Sequence, residues 1–118
     1  MRKLKIAQVA PLWFPIPPKK YGGIERVVYN LTEGLIKRGH KVTLFASGDS
    51  KTSARLISVT KKNIYSKKVP WEDWLWHSFN FSLAIKMAKD FDIVHSHLPL
   101  FCFPFQGFTK TPILHTFH

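Results

Sequence analysis

Lys20-Tyr21-Gly22-Gly23-Ile24-Glu25-Arg26-Val27-Val28 decides how the chain is read, because a proline-rich loop ends there and an amphipathic helix begins. Without a Cβ, Gly22 and Gly23 can take positive φ and admit another group close to the backbone. The first amides of a helix lack internal acceptors, and the helix dipole adds partial positive charge at that end. Such an end is suited to anions, and Lys20 adds a full charge beside it. Two readings stand on these residues alone. One is a cradle for a phosphate or sugar-phosphate; the other is a tight loop-to-helix turn with glycines for steric reasons. Gly-Gly by itself does not choose between them.

Working outward, residues 4–10 form a short apolar run stopped by Pro11, which reads as a buried strand. The loop over 11–20 holds Pro11, Pro15, Pro17 and Pro18, so four φ angles are restricted and the loop is stiff. Trp13 and Phe14 lie in it and are expected to pin it to the body. The spacing of Ile24, Val27, Val28, Leu31 and Leu35 predicts a helix over 23–38 with one apolar face, closed by Gly39 at C′. Residues 41–46 read as the second strand, which completes a βαβ unit. Residues 55–60 read as a third strand. A second helix is predicted over 71–89, with Trp74, Leu75, Ser78, Phe81, Ala84, Ile85 and Ala88 as its buried stripe. Trp71, Trp74, Trp76 and Phe79 crowd its start and are expected to pack in the core. Residues 92–97 and 112–117 read as the fourth and fifth strands, with an aromatic loop at 99–106 between them.

The pattern is α/β, a mostly parallel sheet of about five strands with flanking helices. Its central strands should be the first and fourth. Ligands of such sheets bind beyond the strands' carboxyl ends at the switch point. That rule gathers residues 11–23, 95–99 and His118 on one rim.

Composition narrows the classes. The 118 residues suit one domain, and 45% hydrophobic content argues against general disorder. The net charge of +11 is concentrated at Lys51, Arg55, Lys61, Lys62, Lys67 and Lys68, with no acid between them. Such a block fits nucleic acid, an anionic surface or an acidic ligand, or else a solvated loop that aids solubility. Lysine outnumbers arginine there and only Tyr65 can stack on a base, which favours the solvated loop. Cys102 is the sole cysteine, so no internal disulfide forms, in keeping with a cytoplasmic location. No stretch nears the ~20 apolar residues of a membrane span, so no integral membrane contact is expected.

His95 and His97 are two apart on a strand and point to the same side. Either they join His115 or His118 around a metal, or one packs while another lines a pocket. No acid or thiol at ligand spacing completes a metal set, so none is expected. Neither Ser47, Ser96 nor Cys102 has a positioned base, and no carboxylate pair stands in a motif for acid/base work.

Taken in order, several stretches resemble the start of a family-4 retaining glycosyltransferase of the GT-B fold. They are Pro17 through Val28, Leu35 through Ser50 with its Arg38-Gly39-His40, Asp92-Ile93-Val94-His95-Ser96-His97, and Thr111-Pro112-Ile113-Leu114-His115-Thr116-Phe117-His118. Lys20-Tyr21-Gly22-Gly23-Ile24 also resembles the Lys-x-Gly-Gly-Leu signature of glycogen and starch synthases, with Ile24 in place of leucine. The resemblance implies a Rossmann-like amino-terminal GT-B domain that moves a sugar, of the hexosyl class, from a nucleotide-sugar to a saccharide or other hydroxyl acceptor. It implies no cofactor and no metal. It also implies that Gly22 and Gly23 face the donor diphosphate, that Lys20 neutralises it, that His97 lines the substrate site, and that His118 is the catalytic residue touching the transferred sugar. The family's first domain continues for more strands and a second domain follows. Residues 1–118 are therefore expected to be one incomplete domain, inactive alone and completed by a second domain or chain. Two other readings remain, a non-catalytic carbohydrate- or phosphate-binding module and a nucleic-acid binder acting through 51–68. The strand at 113–117 would be an open edge, which predicts a homo-oligomer through it and the 101–105 loop.

Overall fold

The computed structural model describes residues 2–65 and 72–118. Lys67 and Lys68 of the basic block, together with Pro70 and Trp71, lie outside the described residues, as does the side chain of Phe101. Among the described residues there are five strands: β1 (Lys5–Val9), β2 (Lys41–Phe45), β3 (Arg55–Ile57), β4 (Ile93–Ser96) and β5 (Ile113–His115). Two α-helices accompany them, α1 (Gly23–Lys37) and α2 (Glu72–Lys86). Short 3₁₀ helices cover Ala88–Asp90 and Leu100–Phe108.

The strands lie in the order β3-β2-β1-β4-β5 and every pairing is parallel. Order reverses between β1 and β4, so the switch point lies between those two strands. β1 is flanked on both edges and buried from Ile6 to Val9. Ile6 pairs with Val42 on one side and Ile93 on the other. This is the burial expected of a parallel strand covered on both faces.

The two faces carry separate cores. Ala7, Val9, Phe45 and Val94 pack against Phe81, Ala84 and Ala88 on the α2 side. Leu44 and Ala46 pack with Val28 of α1 and Ile16 of the proline loop on the other. Leu44 and Phe45 thus serve opposite faces, as strand alternation requires.

α1 ends as its sequence predicts. Gly39 has φ 93°, the His40 amide donates to Leu35 O (3.1 Å), and the Gly39 amide donates to Ile36 O (2.9 Å). These paired bonds are the Schellman closure, which needs a left-handed C′ residue. The His40 Nδ1 then accepts the Leu4 amide at 3.0 Å, joining the end of α1 to the start of β1.

α1 is turned from its expected face, and α2 departs from its own in the first half, whereas Phe81, Ala84 and Ala88 are buried as expected. α1 buries Glu25, Val28 and Thr32, while Val27 is exposed. α2 buries His77, Asn80, Phe81 and Ala84, and leaves Trp74, Leu75 and Phe79 about half exposed. The expectation that Trp74 and Phe79 are core residues is therefore wrong. His77 and Asn80 share the buried face with Phe81 and Ala84 because both find backbone partners there, while Trp74 and Phe79 lie on the outer side. Strands three and five are also shorter than predicted, and the expected aromatic loop is largely a 3₁₀ helix.

Candidate functional site

The carboxyl ends of β1 and β4 open on one rim. β1 runs into a loop held at four points. The Leu12 amide donates to His77 Nε2 (3.0 Å) and the Ile64 amide to Leu12 O (2.9 Å). The Ile16 amide donates to Ser50 Oγ (2.9 Å), and the Lys51 amide to Ile16 O (2.7 Å). Trp13 does pin the loop, through Nε1 to Asp73 (2.8 Å) and an edge-on contact with the His77 ring. Asn80 Nδ2 donates to Ala10 O (3.0 Å) and Phe45 O (3.2 Å), tying the ends of β1 and β2. Stiff prolines alone would leave the loop's polar backbone unsatisfied; His77 and Asn80 of α2 and the segment holding Ser50, Lys51 and Ile64 supply partners for it.

The two glycines do different work. Gly22 is the N-cap of α1, buried, with φ 147°. A Cβ there would lie 2.7 Å from Pro18 Cβ. Gly23 is exposed, helical and open, with nothing within 4 Å of a built Cβ. Glu25 sits inside the first turn at 2% exposure, with Oε2 lacking a partner. Burial raises its carboxyl pKa, against a hydrogen bond from its own backbone amide that lowers it.

Two cavities flank this loop. One, of about 460 Å³, is lined by Trp13, Ile24, His97, Leu98, Pro99, Phe117 and His118. It joins the start of α1 to the ends of β4 and β5. The other, of about 430 Å³, is lined by Phe14, Pro15, Lys19, Lys20, Tyr21, Asp49, Asn63 and Tyr65. His97 and His118 thus share a cavity with the residue next to Gly23, whereas Lys20 lines the neighbouring one. A larger hollow of about 680 Å³ lies at the opposite end of the sheet, beside Lys5, Lys41 and Arg55. It faces the strands' amino ends, away from the switch point where such sheets bind ligands.

The histidines form one cluster. The rings of His95 and His97 are 4.0 Å apart, and His97 and His118 stack at 5.4 Å. His97 Nε2 lies 2.8 Å from Gln8 Oε1, and its Nδ1 lies 3.1 Å from His118 Nε2. His95 Nε2 bonds Thr116 Oγ1 at 2.7 Å, and His115 Nε2 lies 3.1 Å from Gln106 Oε1. Burial, reinforced by the charges of His95 and His118, pushes the His97 pKa down to about 3. Burial also lowers His95, with His118 and His115 adding to it. Among the described residues no group of three His, Cys, Asp or Glu side chains could hold a metal ion. Burial pushes the Cys102 thiol up to about 12, only partly offset by a hydrogen bond with Ser78, which disfavours the thiolate form. No helix among the described residues is long and apolar enough to cross a membrane.

Gln8, Glu25, His77 and Asn80 organise this rim and were not singled out as site residues from the sequence. Gln8 had a signal, as a polar residue flanked by Ile6, Ala7, Val9 and Ala10 in the strand. His77 and Asn80 had a weaker one, standing three apart among aromatics and in line with Phe81 and Ala84.

The geometry defines a Rossmann-like α/β unit whose candidate rim lies at the sheet's switch point. Residues 21–118 match the model of Glycosyltransferase Family 4, and the chain belongs to that family. It is 34% identical over 94 residues to the O-antigen chain mannosyltransferase C of Escherichia coli, covering 75% of this chain and 24% of that protein. Its fold is similar to that of AviGT4, a glycosyltransferase involved in avilamycin A biosynthesis. The TM-score is 0.61 at 26% identity, with 97% of this chain and 32% of that one covered. The chain thus spans about a quarter to a third of the relatives it matches.

Proposed function

We propose that the chain is an amino-terminal glycosyltransferase domain that handles a nucleotide-sugar and passes its hexosyl group, with retained configuration, to a hydroxyl acceptor. Residues 1–118 form one incomplete domain in this reading, and transfer requires a second domain or chain. The carrying observation is that Ile24, His97 and His118 line one cavity at the carboxyl ends of β1 and β4. His118 touches the transferred sugar, and His97 supports it from behind. The exposed amide end of α1 at Gly23 meets the diphosphate, where negative charge grows as the sugar departs. Gly22 shapes that bend. Lys20 lies on the neighbouring cavity and lowers the cost of a polyanion near the loop. The mannosyltransferase relative makes mannose the first sugar to try.

Calorimetry of the chain with UDP- and GDP-hexoses tests the reading. Binding that His118→Ala weakens at least tenfold supports it; no binding by any of them, with the fold intact, removes it. Transfer is then measured with the second domain supplied, since binding without transfer in any such combination would leave a non-catalytic module. The same reading places the protein in the cytoplasm. It also expects self-association through β5 and the residues that follow it, where Leu114 and Phe117 are about half exposed. Light scattering that shows a clean monomer at high concentration removes the oligomer.

A further inference from the structure

Gln8 stands at the centre of the molecule, on the middle strand, with no solvent exposure. Its neighbours Ile6, Ala7 and Val9 are apolar. A buried amide there is costly unless it is hydrogen-bonded, and half of it is not, since Nε2 has no protein partner. The other half bonds His97, which is 3% exposed.

Donor and acceptor rules then run in one direction. Gln8 Oε1 can only accept, so the proton lies on His97 Nε2. A neutral imidazole has one N–H, so His97 Nδ1 carries the lone pair. His118 Nε2, 3.1 Å away, must therefore donate. The remaining ring nitrogen of His118, Nδ1, is left as an acceptor. We infer that Gln8, acting through His97, is a positioning residue that fixes the tautomer of His118 and so makes His118 Nδ1 the acceptor for a sugar hydroxyl. The inference rests on the sugar-transfer reading for the hydroxyl, whereas the proton order rests only on Gln8 presenting Oε1 to His97. Burial keeps His97 neutral, as the relay requires, and the His95 ring lies tilted beside it, with its own Nε2 bonded to Thr116. The reverse amide orientation would turn every bond round and leave His118 Nδ1 protonated.

The test is the tautomer, read from long-range ¹H–¹⁵N correlation of the imidazole rings near pH 8. The expected spectrum has His97 and His118 both protonated at Nε2. Gln8→Met, similar in shape but without an acceptor, should raise the Nδ1–H form of His118 several-fold. Gln8→Glu, which can only accept at its carboxylate, should keep the wild-type order. His97 protonated at Nδ1 in the wild type overturns the inference, as does a His118 unchanged in Gln8→Met. If Gln8→Met fails to fold, the wild-type spectrum and Gln8→Glu still decide. In binding, Gln8→Met should cost about five- to tenfold in affinity for a GDP- or UDP-hexose, the worth of one hydrogen bond. It should leave GDP or UDP unchanged. Equal losses for both ligand types overturn the hydroxyl role. The expected tautomers with no nucleotide-sugar binding remove the functional reading instead.

Discussion

His77 Nε2 accepts the Leu12 backbone amide at 3.0 Å, across 65 residues of sequence. A protonated ring cannot accept there, and burial pushes the His77 pKa down to about 4, against the raising influence of Asp73. The unfolded chain takes up this proton near 6.5, the folded one not until about 4. Stability is therefore present above ~6.5 and is lost as pH falls towards 4. His97 acts in the same direction down to about 3. Each tenfold change in proton affinity is worth about 1.4 kcal/mol, so the two rings together contribute several kcal/mol. Urea unfolding should weaken steadily from pH 7 to pH 4, and less so in His77→Gln; a flat profile would show that these rings are not buried neutral.

Glu25 titrates with the opposite sign. Its folded pKa lies above the unfolded value, so the stability it contributes is present at low pH and is lost as pH rises above 4.5. Glu25→Gln keeps the shape and removes the charge. It should raise the melting temperature at pH 7 and leave it nearly unchanged at pH 3.5. A drop at pH 7 would mean that the helix dipole outweighs desolvation at this position.

Asn80 supplies hydrogen bonds to Ala10 O and Phe45 O where two strands end. Phe45 O also accepts the Ala10 amide at 2.9 Å, so Ala10 O loses more when the side chain is removed. Asn80→Leu should destabilise by about 2 kcal/mol, the usual cost of leaving a buried acceptor unmet. The urea midpoint should fall with its slope unchanged.

The two glycines should separate cleanly. Gly22→Ala meets both φ 147° and Pro18 Cβ at 2.7 Å, and should cost about 1–3 kcal/mol. Gly23→Ala meets open space and a helical backbone, so stability should hold or rise by up to ~1 kcal/mol. If the α1 amides receive a diphosphate, Gly23→Ala should still weaken UDP- or GDP-hexose binding by crowding that approach. Unchanged affinity in Gly23→Ala would take the diphosphate away from this bend.

The histidine at 97 was legible as a pocket-lining residue because strand alternation puts it beside His95. Its partner Gln8 was not, since the two are 89 residues apart and only the β1–β4 pairing brings them within reach. The polar members of the buried faces of α1 and α2 were missed for a related reason, although Val28, Phe81, Ala84 and Ala88 are buried as expected. Periodicity ranks residues by hydrophobicity, whereas Glu25, His77 and Asn80 lie inside because of where they sit against the loop and the strand ends. Trp74 and Phe79 yielded the interior to them.

By itself the order of residues determined the alternation of strands and helices, the glycine closure of α1 and the parallel character of the sheet. These follow from contacts a few residues apart and from the rule that parallel strands need crossovers. Tertiary structure alone decided that Lys20 and His118 line different cavities, that α2 turns its polar residues inward, and that Gln8 reaches His97. Such choices depend on which distant backbone and side-chain groups can satisfy each other's hydrogen bonds once buried, and local pattern carries no record of that.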